Sequence, residues 1–545
     1  MTEPPQPPNQ PPTPSGYGHL PGPPQPGYGF PPQGANPYAQ QPPTVPQHQA
    51  HPGYGYPPPM PPGPPQGPPG PGGQRRQKLL IVVAASVAGV LVLGAGAWFA
   101  FGKGDDESGK PVAQSSTPAD AKPSASASVD KGDGSGNGGG DQEDLNAGRK
   151  QGEDKVLWLK NSKVDGPGAG VDADGQWIVG DTVVKSVWKS LTGFAVADGK
   201  EKWTLSFPTE LCGVTPDTTT DGKTVVMFKD GESDSSTCNQ MRLVDLKTGK
   251  AGWTKEVPKE GLFDIMTSPT LSITGDTVGV SRASTASAFK VSTGDKLFGS
   301  ATAEGCQPDS YIAGNNKMIA IATCYDADHT VEVHDTDPVT GKSTWNYRLP
   351  KNYDVTSVYS LDPLVLDIGD KDKKERSIVV VGPDGKQRTS VSGEGSFAVK
   401  CAGGGLFASV QVCRSAVVDS NTLYLPTSPS AGAGNEIVAF DLGTGKVKWR
   451  APAGEKRTVT PVKALNGQLI AYRAAEQDKG GEILTYPAGG GEPTATLRNP
   501  SGSAAPVESS FYNPKVDYVD GRLFLSVTHL AAKGKDEKLL MVFGK

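Results

Sequence analysis

The stretch "AFDLGTGKVKW", residues 439–449, reads as a strand, a tight turn and a second strand ending on an aromatic. The apolar run before Asp441 suits a half-buried strand. The "TG" pair suits a turn, because Gly445 tolerates positive φ and the preceding Asp and Thr can bond the turn backbone. Almost the same phrase occurs as "LVDLKTGKAGW", residues 243–253.

Followed along the chain, the phrase recurs as "GFAVADGKEKW" ending at Trp203, "AFKVSTGDKLF" at Phe298 and "VHDTDPVTGKSTW" at Trp345. Weaker copies end at Thr389 and Leu497. From Trp203 to Leu497 the steps are 50, 45, 47, 44, 60 and 48 residues, a period that marks a repeat architecture. Most units carry a further strand ahead of the phrase, such as "GKTVVMFKD" (222–230) and "GRLFLSVTH" (521–529), short, apolar and bounded by Gly or Asp. Each unit therefore supplies about four antiparallel strands, and the fold is expected to be an all-β propeller.

The ends of the repeat region set the number of blades. The last strands, "GRLFLSV" and "KLLMVFGK", lack the outer strand that should follow. "DKVLWLKN", residues 154–161, supplies it, with Trp158 in the aromatic position. Pairing this N-terminal strand with the C-terminal blade closes the ring and hides its edges. Residues 155–545 shared among eight four-stranded blades give about 49 each, which matches the period. Seven blades remain the alternative, because two copies are weak. Trp158, Trp203, Trp253, Trp345 and Trp449 are expected to fill seams between blades rather than to stack on a ligand.

"AFDLGTGKVKW" and "LVDLKTGKAGW" resemble the PQQ-like (pyrrolo-quinoline quinone, quinoprotein-type) repeat, "A-x-D-x-x-T-G-x-x-x-W". The resemblance covers roughly residues 155–545 and implies the propeller fold. Members that oxidise alcohols or sugars hold the quinone over a Trp floor, often under a disulfide of adjacent cysteines, with calcium and an Asp base. Here no two cysteines are adjacent, and no residue can be assigned as calcium ligand or base. The resemblance thus implies a non-catalytic propeller without cofactor or metal. Quinone and calcium belong only to the alternative of an atypical dehydrogenase.

The rest of the chain differs in composition. Residues 1–74 hold 28 of the 50 prolines and one charged side chain, Glu3. Such a segment buries no core, and a disordered tail is expected, inert or docking a Pro-recognising partner. Residues 79–101 are 23 uncharged residues, enough to cross a hydrocarbon core of ~30 Å. Arg75, Arg76 and Lys78 precede the run and Asp105, Asp106 and Glu107 follow it. The positive-inside rule places the tail in the cytoplasm and the propeller outside the cell. The expected layout is a tail (1–74), one transmembrane helix with its basic flank (75–102), a Gly/Ser-rich disordered linker (103–154) and the propeller (155–545). It resembles that of membrane-anchored actinobacterial proteins.

The six cysteines, Cys212, Cys238, Cys306, Cys324, Cys401 and Cys413, all lie in the propeller region and suggest disulfides in an oxidising space. Sequence alone does not settle the pairing; sequential pairing keeps each loop within a repeat unit and is the expected one. His329 and His334 stand among acidic residues, but five positions apart on a strand they face opposite ways, so no metal site is expected. A net charge of −5 gives no sign of a nucleic-acid partner. The reading is a single-pass membrane protein whose extracellular propeller binds or scaffolds a protein or cell-envelope ligand. The other alternative is a purely structural envelope component.

Overall fold

A computed structural model describes residues 144–545 apart from 262–263, 300–304, 374, 394, 400, 402–410, 412, 430–432 and 455. The proline-rich tail, the apolar run 79–101 and linker residues 103–143 lie outside the described residues. Eight four-stranded antiparallel sheets follow one another along the chain. Blades one to seven begin with inner strands at Gln176–Val179, Leu211–Val214, Thr270–Thr274, Cys306–Gly314, Tyr353–Leu361, Val417–Val418 and Val459–Leu465. Blade eight consists of Lys515–Val519, Arg522–Ser526, Lys533–Gly544 and, from the start of the domain, Lys155–Asp165. Trp158 stands opposite Val542 and Lys160 opposite Leu540 in that closing pair. The count of eight and the closure agree with the sequence reading.

Within a blade the middle strands are buried and the outer strand is half exposed. Thr182–Val187 is buried along its whole length, whereas Glu201–Ser206 and Val447–Pro452 keep mostly exposed side chains. The cause is position: a middle strand is covered on both faces by neighbouring blades, so both faces must be apolar.

The repeat aromatics and the turn glycines form one device. In six of the eight blades an aromatic on the outer strand lies on a turn glycine of the following blade, a "TG" or "DG" glycine in every case but Gly490. Trp158 lies against Gly199, Trp203 against Gly249, Trp253 against Gly294, Phe298 against Gly341, Trp345 against Gly385 and Trp449 against Gly490. A Cβ at Gly199 would stand 2.6 Å from the Trp158 ring, and one at Gly385 2.9 Å from that of Trp345. These glycines also have positive φ, from 67° at Gly199 to 81° at Gly490. Each is thus required twice, once by the turn and once by its neighbour's ring. Several indoles add a hydrogen bond to the same turn. Nε1 donates from Trp158 to the Val196 carbonyl (3.1 Å), from Trp253 to Val291 (2.8 Å) and from Trp449 to Ala488 (3.1 Å). The aspartate opening the turn holds its shape: Asp441 Oδ1 accepts from the backbone N–H of Gly443 and Thr444.

The weak copy at Thr389 shows what happens without an aromatic. The Gly445 turn there meets backbone, at the carbonyl of Ser390. Ser392 N–H donates to the Gly445 carbonyl at 2.8 Å, and Thr389 Oγ1 to the Leu442 carbonyl at 2.7 Å. The seam closes by hydrogen bonds where it lacks a ring.

The cysteines pair sequentially, Cys212–Cys238, Cys306–Cys324 and Cys401–Cys413. Cys306 and Cys324 sit opposite each other on adjacent strands of blade four. One boundary is corrected. Residues 144–154 were expected to end the disordered linker, yet they fold against blades seven and eight. Asn146 exchanges two hydrogen bonds of 3.0 Å with the backbone of Val156, Glu153 accepts from Ser501 N–H, and Leu145 packs beside Val156 and Phe511. This stretch is polar, and composition does not reveal an asparagine that mimics a strand partner.

The double role of the glycines has a measurable consequence. Gly275→Ala changes a positive-φ turn residue (53°) with open space around it, and about 1 kcal/mol should be lost. Gly249→Ala also drives a methyl into Trp203 and should lose about 2–4 kcal/mol. Urea unfolding of both variants checks this; equal losses would show that the ring contact contributes nothing.

Candidate functional site

A cavity of about 650 Å³ opens near the ring centre, walled by blades six, seven and eight. Blade six contributes Pro426, Thr427 and Asn435, blade seven Thr458, Thr460 and Tyr472, and blade eight Val516. The connection between the last two blades contributes Glu508, Ser509, Phe511 and Asn513. Asp174, Cys401, Arg414 and Ser415 also line it. Hydroxyls and amides alternate with apolar surface, the usual make-up of a ligand pocket.

The connection forms a short helix, Ala504–Ser509. Its buried face is Ala504, Ala505 and Glu508, so two methyl-sized side chains let the helix approach closely enough to bury a carboxyl group. Glu508 Oε1 accepts from Tyr472 Oη (2.7 Å) and Asn499 Nδ2 (2.6 Å), and Oε2 from Gly481 N–H (3.0 Å). Burial pushes the Glu508 carboxyl up to about 7, although these donors and the charge of Arg457 oppose the shift. Burial and the adjacent carboxylate push the Tyr472 phenol well above its ordinary value, so it stays a donor.

Arg414 follows Cys413 directly, and the Cys401–Cys413 disulfide fixes its place. Its Nη2 donates to Asp174 Oδ1 at 3.2 Å. Gln411 Nε2 donates to the Ala313 carbonyl of blade four at 2.8 Å, so this segment reaches across the ring.

The other residues singled out in the sequence lie elsewhere. The five repeat tryptophans stand on outer strands, committed to glycines, and none lines the cavity. Of the cysteines, only Cys401 does. His334 is buried with Nε2 3.0 Å from Glu332 Oε2, whereas His329 is exposed in a turn with φ 45°, so the two do not share a ligand. Glu332 lies close to Cys306 and Cys324, but both sulfurs are consumed by their disulfide.

Sequence reasoning missed Glu508, Tyr472, Arg414 and two deep lysines, Lys185 and Lys515. One signal was present: Lys185 interrupts "TVVKSV", an otherwise apolar and hydroxyl run that reads as a middle strand. Its Nζ donates to the Ala173 carbonyl, and burial drives its amine well below the ordinary lysine value.

The Glu508 carboxyl binds its proton more tightly in the folded chain (about 7) than at the ordinary glutamate value of 4.5. Its contribution to stability is therefore full below pH 4.5 and is lost as pH rises through 7. Thermal unfolding should show the wild type falling relative to Glu508→Gln between pH 5 and 8. Parallel curves would mean that the group does not titrate in this window.

Residues 146–310 match a family model described as outer membrane protein assembly factor BamB. Among solved structures, BamB from Moraxella catarrhalis is 14% identical with a TM-score of 0.41, covering 71% of this chain and 100% of its own. A quinohemoprotein alcohol dehydrogenase from Pseudomonas putida is 11% identical with a TM-score of 0.41, covering 72% and 76%. The β-propeller domain of the trilobed protease from Pyrococcus furiosus is 11% identical with a TM-score of 0.35, covering 60% and 97%. No curated protein matches the chain. With its recurring turn glycines, ring-on-glycine seams and eight closed blades, the folded part of this chain is a β-propeller, similar over residues 146–310 to the BamB-type family model.

Proposed function

We propose that this chain is a single-pass membrane protein that displays a non-catalytic binding propeller outside the cell. The ligand is a protein or a cell-envelope component, and it enters the cavity between blades six, seven and eight. The observation that carries this reading is the cavity itself, about 650 Å³ with a mixed polar and apolar wall assembled from three blades. The tether follows from the uncharged run 79–101 and its flanking charges. The proline-rich tail would then face the cytoplasm and offer polyproline-II segments to a partner there.

Two observations favour binding over quinone chemistry. The repeat tryptophans are held in the seams, away from the cavity wall. The disulfide at the cavity joins Cys401 to Cys413, separated by 12 residues, instead of adjacent cysteines.

Tyr512 gives a handle for the test. It is 86% exposed and stands between Phe511 and Asn513 of the cavity wall. A photo-crosslinking residue at position 512 should capture an envelope protein or polymer in intact cells. The same residue at Tyr325, 67% exposed on blade four, should not. Capture at 325 alone would move the binding surface elsewhere. Adding pyrrolo-quinoline quinone with calcium should give no dye reduction with alcohols or sugars; turnover would make the protein a dehydrogenase.

A further inference from the structure

We propose that the ring centre holds an oxyanion, a carboxylate or phosphate group of the cavity's ligand, where Lys185, Lys515 and Arg414 converge on residues 173–176. This rests on the binding reading above and names the chemistry of the ligand. The three basic side chains come from separate parts of the ring. Lys185 is on the second strand of blade one, Lys515 opens the inner strand of blade eight, and Arg414 precedes blade six. Lys185 Nζ donates to the Ala173 carbonyl, Lys515 Nζ to the Gln176 carbonyl (3.0 Å) and Arg414 Nη2 to Asp174 Oδ1 (3.2 Å).

The partners do not match the donors. An ammonium has three N–H groups, and each lysine uses one, on an uncharged carbonyl. Lys185 is only 1% exposed. Arg414 Nε is buried with no hydrogen-bond partner. Holding a carbonyl needs one neutral donor, which a glutamine supplies without the cost of burying a charge. Three cations around one four-residue segment are instead the donor set that oxyanions select.

Of the surrounding acids, Asp174 contacts Arg414, and among the described residues no carboxylate is hydrogen-bonded to either lysine. Asp517 accepts from Gln176 Nε2 at 2.6 Å, Asp174 is engaged by Arg414, and Asp172 lies 3.5 Å from the imidazole of His529. Burial lowers both lysine amines, and each is lowered further by Arg414. An anion at this point would fill the unused donors and draw the amines back to their charged form. The cluster borders the cavity: Arg414 and Asp174 line its wall, as do Pro514 and Val516 on either side of Lys515.

The test uses the full-length chain purified in detergent, unfolded thermally in inorganic phosphate or in acetate. Sodium chloride of equal ionic strength is the reference. At ten times its dissociation constant the effective anion should raise Tm by about 2 °C. Lys515→Met and Arg414→Gln should lose the shift, and Lys386→Met, at an exposed site, should keep it. Any shift given by acetate should grow as pH is lowered, because binding takes up protons on the amines. A response to phosphate alone assigns a phosphate ester, and one to acetate a carboxylate; either supports the proposal. No shift beyond chloride, or an equal shift in both variants, overturns it. If a variant fails to fold, lysine side-chain NMR of the wild type decides: Lys185 and Lys515 signals unmoved by either anion overturn it equally. Capture at position 512 without any anion response would leave the binding reading standing and remove only this inference.

Discussion

The structure depends on an aromatic ring resting on a bare backbone. A propeller must join blades that share no main-chain ladder, so most seams here are held by side chains. Here the outer strand of one blade carries a large ring, and the next blade presents a turn whose glycine leaves room for it. The ring covers apolar area, and where its indole N–H reaches a turn carbonyl the polar edge is satisfied too. Because the turn already needs positive φ, the same residue meets both demands. This coupling explains why "D-x-x-T-G" and the aromatic recur together. It also explains how the fifth blade dispenses with its ring: with no side chain to accommodate, the backbone moves in and hydrogen-bonds the turn.

Closure adds a second constraint. The first strand of the domain must find the last, and it does so along the outer edge of blade eight, carrying Trp158 onto Gly199 of blade one. On the inner side the same junction is polar. Gln176 bonds Asp517, and Lys515 holds the Gln176 carbonyl. Apolar packing thus seals the rim of the junction, while hydrogen bonds and buried charge tie its inner end. The cluster of basic side chains stands at this inner end, so the ring's join and the proposed ligand site share residues.

The cavity differs from the seams in what its wall must tolerate. Glu508 is buried beside Tyr472, Asn499 and Gly481, a donor set that locks the short helix to blade seven. Arg414 is placed by a disulfide rather than by a strand. Such rigid supports hold polar groups where a ligand can meet them without prior rearrangement.

The sequence by itself determined the all-β class, the four-strand unit and the N-terminal strand that closes the ring, and it favoured eight blades over seven. These follow from local periodicity and from a phrase repeated at a fixed spacing, which are properties of neighbouring residues. The sequential disulfides were the expected pairing for the same reason, since each bridges residues of nearby segments. Only the tertiary structure decided which glycine each tryptophan meets, because that partner belongs to another blade. It alone showed that residues 144–154 fold onto the domain, through Asn146 and Glu153 acting as surrogate strand partners. It alone assembled the cavity and the cation cluster. Lys185, Arg414, Glu508 and Lys515 are separated by up to 330 residues, and no periodicity links them. Their proximity comes from closing the ring, which brings the first blade beside the last.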